Sequence, residues 1–265
     1  MLTPIPLPNT ALCVSRLGLG TVKFGRNSQV KYPSAFSLPS DQAIRELLSK
    51  AHDLGINLLD TAPAYGVSEE RLGKMIRDQR HQWVISTKVG EEFTHETSHF
   101  DYSSIHVVKS IDRSLKRLHT DYLDIVLVHS NGEDKKIIEQ FEIFETLSQL
   151  KKAGKIRAFG MSTKTIEGGL LTVDHADVVM VTYNLIETNE QPVIAYAYTK
   201  NKSVFIKKSF ASGHLQQLAE DDPIQKSMDF IFKEPGVTSI ILGTINPLHL
   251  AYNVKCAENY LYNSC

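Results

Sequence analysis

The sequence is short of cysteine, of unbalanced charge and of long apolar runs, and each shortage removes a class of protein. Its three cysteines, Cys13, Cys256 and Cys265, form an odd set without metal-ligand spacing. They read as free thiols of a reducing cytosol rather than as a disulfide framework, and no metal site is expected. Lysines and arginines number 29 against 30 aspartates and glutamates, with no basic block. The electrostatic footprint of a nucleic-acid binder is therefore missing. No apolar run approaches the roughly 20 residues that span a bilayer, and Met1 to Pro8 lacks the basic-then-apolar pattern of a signal peptide. The expectation is a cytoplasmic protein without membrane or nucleic-acid partners and, with no dimer signature, a monomer. What is present is an ordinary globular composition, 42% hydrophobic and 22% charged, sufficient for a full core.

The apolar pattern alternates between two periods. Ser40-Asp41 offers a helix cap ahead of Ala43, Ile44, Leu47, Leu48, Ala51 and Leu54 at helical spacing, and Gly55 supplies the stop. Residues 68–76, 103–118, 137–153, 188–200, 223–232 and 247–260 also read as helices. Between them lie short apolar runs at 16–21, 56–60, 83–88, 122–129, 156–160, 178–182, 203–207 and 238–242. The fourth, YLDIVLVH, is apolar enough to be buried on both faces. Eight strand–helix units predict a (β/α)8 barrel, an α/β TIM barrel, as a single domain over 1–265. Residues 1–15 precede it and suit a short hairpin capping the barrel bottom. Residues 22–40 form a long loop at the C-terminal end of the first strand, where such barrels carry their sites, and read as a lid or pocket wall.

Reactive side chains are expected at strand C-termini, and four arrive there together. The second strand ends in Asp60, with Tyr65 in the following loop; the third ends in Lys88 and the fourth in His129. Singly, each has a duller explanation: a turn cap, a rim phenol, a solvated strand end, a core histidine. Jointly they suit carbonyl reduction, in which a developing alkoxide needs a positioned proton donor. Tyr65 is the donor, a Lys88 ammonium stabilises its phenolate, Asp60 holds Lys88, and His129 orients the carbonyl oxygen.

Several segments, LGLGT, LLDTAPAYGVSEERLG, VISTKVG, SIDRSLKRLHTDYLDIVLVH, LKKAGKIRAFGMS, VTYNL and GTINPLHLAYN, resemble the aldo-keto reductases from the first strand to the last helix. The resemblance implies Tyr65 as general acid, Lys88 and Asp60 as its charged partners and His129 as the substrate-orienting group. It also implies an NAD(P) coenzyme held by the segments after strands 7 and 8. These are Lys207, Lys208, Ser209, Ser212 and Gly213, then Gly243, Thr244 and Asn246 at a helix start suited to phosphate. Gly20 and Thr21 would line the nicotinamide pocket; Gly18-Leu19-Gly20 is no Rossmann fingerprint, because Lys23 stands where a glycine is required.

Three positions depart from the family pattern. Lys207 replaces a ring-stacking tyrosine, Ser162-Thr163 replaces a serine–asparagine pair, and Thr182 replaces a glutamine. Lys207 could cover the ring with its alkyl stem and reach a phosphate with its ammonium. Gly243 and His249 stand where many members carry a cation for the 2′-phosphate, while Asn253 matches an adenine-contacting asparagine. NADP(H) is favoured slightly over NAD(H). The substrate is a small carbonyl compound, in an open pocket shaped by the 22–40 loop with Phe24, Tyr32 and Phe36. Two rivals stand beside this reading: a lyase with Lys88 as Schiff base, and a reductase-like nucleotide sensor or scaffold with little turnover.

Overall fold

The computed structural model of the chain describes residues 1–213 and 221–263. A hairpin of β1 (Ile5–Pro6) and β2 (Cys13–Val14) leads into β3 (Leu17–Gly20), the one-turn α1 (Val22–Gly25), α2 (Asp41–Asp53), β4 (Leu58–Asp60) and α3 (Ser68–Ile76). Then follow β5 (Val84–Val89), a second hairpin of β6 (Glu91–Thr94) and β7 (Thr97–Phe100), α4 (Ser104–Arg117) and β8 (Leu123–His129). The remainder is α5 (Asp134–Gln140), α6 (Ile143–Lys152), β9 (Ile156–Ser162), α7 (Ile166–His175), β10 (Val178–Thr182), α8 (Gln191–Thr199), β11 (Ser203–Lys207), α9 (Pro223–Phe232), β12 (Val237–Leu242) and α10 (Pro247–Asn263). Strands β3, β4, β5, β8, β9, β10, β11 and β12 pair in parallel in that order, and β12 closes onto β3. The fold is the expected (β/α)8 barrel.

Two apolar layers hold it. Leu58, Val84, Ile125, Ala158, Val178 and Phe205 fill the barrel interior together with Leu7, Leu12 and Val14 of the N-terminal hairpin, which caps the barrel as expected. A larger cluster packs the strands' outer faces against the helices. Each fully buried Leu, Ile, Val or Phe contributes ~1.5–3 kcal/mol relative to exposure, so the interior needs no polar ties. The cap foreseen for α2 forms, Ser40 Oγ accepting from Ala43 N at 3.1 Å, and Ser103 Oγ caps α4 in the same way, accepting from His106 N at 3.3 Å. Among the described residues no helix is long and apolar enough to cross a membrane.

Three expectations are corrected. The helix read over 137–153 is two helices, broken at Phe141-Glu142, where Glu142 adopts a left-handed φ of 50°. Helix α7 went unread because Gly168-Gly169 lowers its propensity. Those glycines let it approach its neighbours, since a Cβ on Gly169 would lie 2.5 Å from Val193 and one on Gly168 2.0 Å from Asp134. Phe24 belongs to the core, with no exposure, and does not shape the pocket. Cys13 and Cys256 are free thiols, and Cys265 lies outside the described residues.

Candidate active site

Parallel pairing brings the strand ends to one level: Gly20 stands opposite Asp60, Asp60 opposite Ser86, His129 opposite Ser162 and Thr182 opposite Lys207. A cavity of about 1200 Å³ opens there, lined by Asp60, Tyr65, Lys88 and His129. Lys88 Nζ donates to both Asp60 oxygens, at 2.7 and 2.8 Å, and to Thr61 O at 2.9 Å. Ser86 Oγ donates to Asp60 Oδ1 at 3.0 Å. Both members of the pair are buried, so each depends on the other for its charge. With its donors committed to Asp60 and Thr61, Lys88 Nζ is poorly placed to attack a carbonyl carbon as a Schiff-base nucleophile.

Lys88 meets Tyr65 differently from the expectation. Its three donors are directed at Asp60 and Thr61, and it faces the Tyr65 ring at 5.1 Å from the centroid rather than bonding the hydroxyl. Among the described residues the Tyr65 hydroxyl has no hydrogen-bond partner, and its ring stands edge-on to His129 at 6.4 Å. Burial first, then the charges of Asp60 and Glu91, push the phenol well above its ordinary range, with Arg26 opposing them. Tyr65 is therefore held protonated.

Glu91 was not read from the sequence. It begins the β6–β7 hairpin, one residue beyond Gly90, and its Oε2 lies 2.6 Å from His129 Nδ1. The turn depends on Gly90: its φ is 99°, and a Cβ there would lie 2.5 Å from the Tyr102 ring. Tyr102 in turn donates its hydroxyl to His129 O at 3.0 Å. Ser98 and Phe100 of the same hairpin also line the cavity. A polar strand pair joined at His95-Glu96, both left-handed, carries no apolar alternation, so no local signal announced it.

The other half of the cavity rim is built from the ends of β9, β11 and β12. Lys207 Nζ donates to Ser162 Oγ at 2.9 Å and to Thr163 O at 2.5 Å. Its ammonium is thus bent toward β9 instead of reaching outward. Burial lowers it to about 8, while Glu190 supports its charge. Glu190, a second residue the sequence did not single out, is buried; it accepts from Thr163 Oγ1 at 3.0 Å and from Thr182 N at 2.8 Å. Burial pushes its carboxyl up, and Lys207 is the leading influence that opposes this.

After β11 the chain coils tightly: Lys208, Ala211, Ser212 and Gly213 have φ of 53°, 46°, 57° and 94°. Two amides of this coil are already taken, Ala211 N donating to Lys208 O and Gly213 N to Phe210 O, both at 2.8 Å. Lys208, Ser209, Ser212, Gly213, Gly243, Thr244, His249, Asn253, Gly20 and Ser162 all line the cavity. His214 and Leu215, at the end of the first segment, lie outside the described residues.

Three of the expected coenzyme residues do not line the cavity. Thr21 is fully buried and bonds Asp60 O at 3.0 Å, and Thr163 is held by Glu190. Asn246 caps α10, its Oδ1 accepting from Leu248 N at 2.8 Å and His249 N at 3.3 Å, so the first-turn amides already have an acceptor. The 22–40 loop lies across this half: the Tyr32 hydroxyl packs on Gly243 and the Pro33 ring on Gly213. Lys23 sits 4.0 Å from the Tyr32 ring centroid. Phe36 stacks edge-on behind Tyr32 and does not line the cavity.

The family model described as the Aldo/keto reductase family matches residues 16–230. The chain belongs to the aldo/keto reductase family. Aldo-keto reductase YhdN of Bacillus subtilis is 32% identical over 79% of this chain. The NADH-specific methylglyoxal reductase of Escherichia coli is 30% identical over 69% of it. The chain spans 62% and 59% of the lengths of these two relatives. A solved structure from Pseudomonas aeruginosa, assigned to the aldo-keto reductases, is 50% identical with a TM-score of 0.89, covering 97% of this chain and 95% of that one.

Aldo/keto reductases are oxidoreductases that use NAD(P)H. For this member the lining fits such a group on two counts. Lys208, Ser209 and Ser212 line the cavity with a cation and two hydroxyls, donors suited to a pyrophosphate. The cavity also carries six lysines and one arginine against four carboxylates, a cationic excess suited to phosphate charge.

Proposed function

We propose that this aldo/keto reductase reduces an aldehyde or ketone to the alcohol at the expense of NAD(P)H, with Tyr65 as general acid. The observation that carries the reading is the unpartnered Tyr65 hydroxyl in one cavity with the Lys88–Asp60 pair and His129. The bound coenzyme supplies the hydride. Everything else falls to the chain's own side chains. Tyr65 stays protonated and gives its proton to the carbonyl oxygen as charge develops there. An alkoxide is a far stronger base than a phenolate, so the transfer is downhill despite the raised phenol. Lys88 and Arg26 then face the phenolate as cations. His129 orients the carbonyl oxygen.

Ser162, Lys207, Lys208, Ser209, Ser212, Gly213, Gly243, Thr244, His249 and Asn253 are proposed to hold the coenzyme, with Gly20 on the nicotinamide wall. Thr163 and Asn246 act at one remove, through Glu190 and the α10 cap. NADP(H) is preferred over NAD(H), because a 2′-phosphate adds negative charge to a cationic cavity. Fluorescence titration with NADPH and NADH, followed by a panel of aldehydes and ketones, tests the reading. Saturable binding with turnover of several compounds is expected. Failure to bind either coenzyme sinks it, and tight binding with negligible turnover across the panel would favour the sensor or scaffold.

A further inference from the structure

Glu91 stands against the Nδ1 edge of His129 and lines the same cavity. Its Oε2 lies 2.6 Å from Nδ1, a nitrogen closed to solvent, while the ring lines the cavity with Nε2 as its open nitrogen. The approach is off the line of the ring N–H, as a close ion pair allows. Glu91 is itself fixed, because Ser98 Oγ donates to Oε1 at 2.6 Å. Burial raises its carboxyl, but His129, Ser98 and Arg26 outweigh that and bring it to about 2, so it is ionised at every working pH. The mechanism above makes no use of this carboxylate.

We infer that Glu91 is a positioning residue that divides the roles of the two His129 nitrogens, keeping hydrogen on Nδ1 and leaving Nε2 to respond to the charge of the ring. This rests on the proposed carbonyl reduction. A neutral imidazole has one donor and one acceptor nitrogen, and a charged one has two donors. With hydrogen kept on Nδ1 beside the Glu91 carboxylate, Nε2 of a charged ring donates to a carbonyl oxygen. Nε2 of a neutral ring can only accept, and so suits an alcohol hydroxyl. One side chain then favours reduction when charged and alcohol oxidation when neutral. His129 itself needs to transfer no proton, which remains the task of Tyr65.

The groups facing the ring set where that change falls. Glu91 approaches from β6, Lys88 from β5 and Lys207 from β11, with Tyr65 edge-on from the loop after β4. Burial lowers His129, Glu91 raises it, and Lys88 and Lys207 lower it, leaving it below its ordinary value. Loss of the Glu91 charge can only lower it further.

Nitrogen-15 imidazole NMR on the coenzyme-free protein reads the ring directly, with His129→Gln assigning its signals. In the unsubstituted protein the neutral ring is expected as the Nδ1–H form. Glu91→Gln is expected to lower the His129 midpoint by about one pH unit or more, the effect of an opposite charge at this range. Glu91→Asp should restore part of the shift, and Glu91→Leu should abolish the preference for Nδ1–H. In turnover, the alkaline limb of kcat/KM for reduction should move acid-ward with the NMR midpoint in Glu91→Gln. A midpoint unchanged in folded Glu91→Gln, or a neutral unsubstituted ring with its hydrogen on Nε2, overturns the inference. NMR requires no turnover, so a protein that passes it yet reduces no carbonyl refutes the function and not the Glu91 geometry.

Discussion

The two halves of the cavity rim are held by different physics. On the side of β4, β5 and β8, ionisable groups face one another directly: Lys88 lies on Asp60 and His129 on the Glu91 carboxylate. On the side of β9, β11 and β12 the half-buried Lys207 binds neutral oxygens, and Glu190 supports it from beyond ion-pair distance. Removing one member of a buried pair strands the other, whereas a cation on neutral acceptors already bears part of the desolvation cost. The first half should therefore be intolerant of substitution, with its pH dependence carried by His129 below the ordinary imidazole value. The second should titrate just above neutrality.

The largest effect should come from the phenol. Tyr65→Phe is expected to lose at least about 100-fold in carbonyl reduction, the usual share of a general acid. It should keep its coenzyme affinity, as measured by steady-state turnover and fluorescence titration. Retained turnover would remove Tyr65 from its role and dissolve the contrast between the halves.

The next effect is on stability. Gly90→Ala combines a left-handed φ with a clash against Tyr102. It should cost about 2–4 kcal/mol in urea unfolding. Activity should fall further than stability alone explains, since Glu91 follows directly. A loss below about 1 kcal/mol would mean that the hairpin is not rigidly placed.

The smallest effect is the titration of Lys207. Burial brings it to about 8, below the ordinary lysine value of 10.5. Between the two the unfolded chain holds more of this proton, so stability rises with pH across that window. Compared with Lys207→Met, the unsubstituted protein should gain up to about 3 kcal/mol between pH 7 and 10 in chemical denaturation. A flat difference between the two proteins would show Lys207 to be solvated and the two halves alike.

What was legible in the sequence and what was not divide along the same line as local and non-local interactions. Asp60, Lys88 and His129 were placed correctly because each ends an apolar run, and in a parallel barrel run ends share one level. Glu91 and Glu190 carried no such marker, one in a polar hairpin and the other at a helix start. Their importance comes from His129 and Lys207, residues 38 and 17 positions away in the numbering. Thr21, Thr163 and Asn246 were assigned by position along the chain, but their side chains found nearer partners in Asp60, Glu190 and the first turn of α10.

The sequence by itself determined the barrel, its eight strands and the four side chains that meet at its mouth. Periodicity and strand-end position are local properties that survive without knowledge of contacts. Only the tertiary structure decided that Lys88 faces the Tyr65 ring and not its hydroxyl, that Glu91 stands against His129 Nδ1, and that Lys207 bends to Ser162. Those choices depend on distances between strands and on which buried charge finds a partner first. Neither is written in any one segment of the chain.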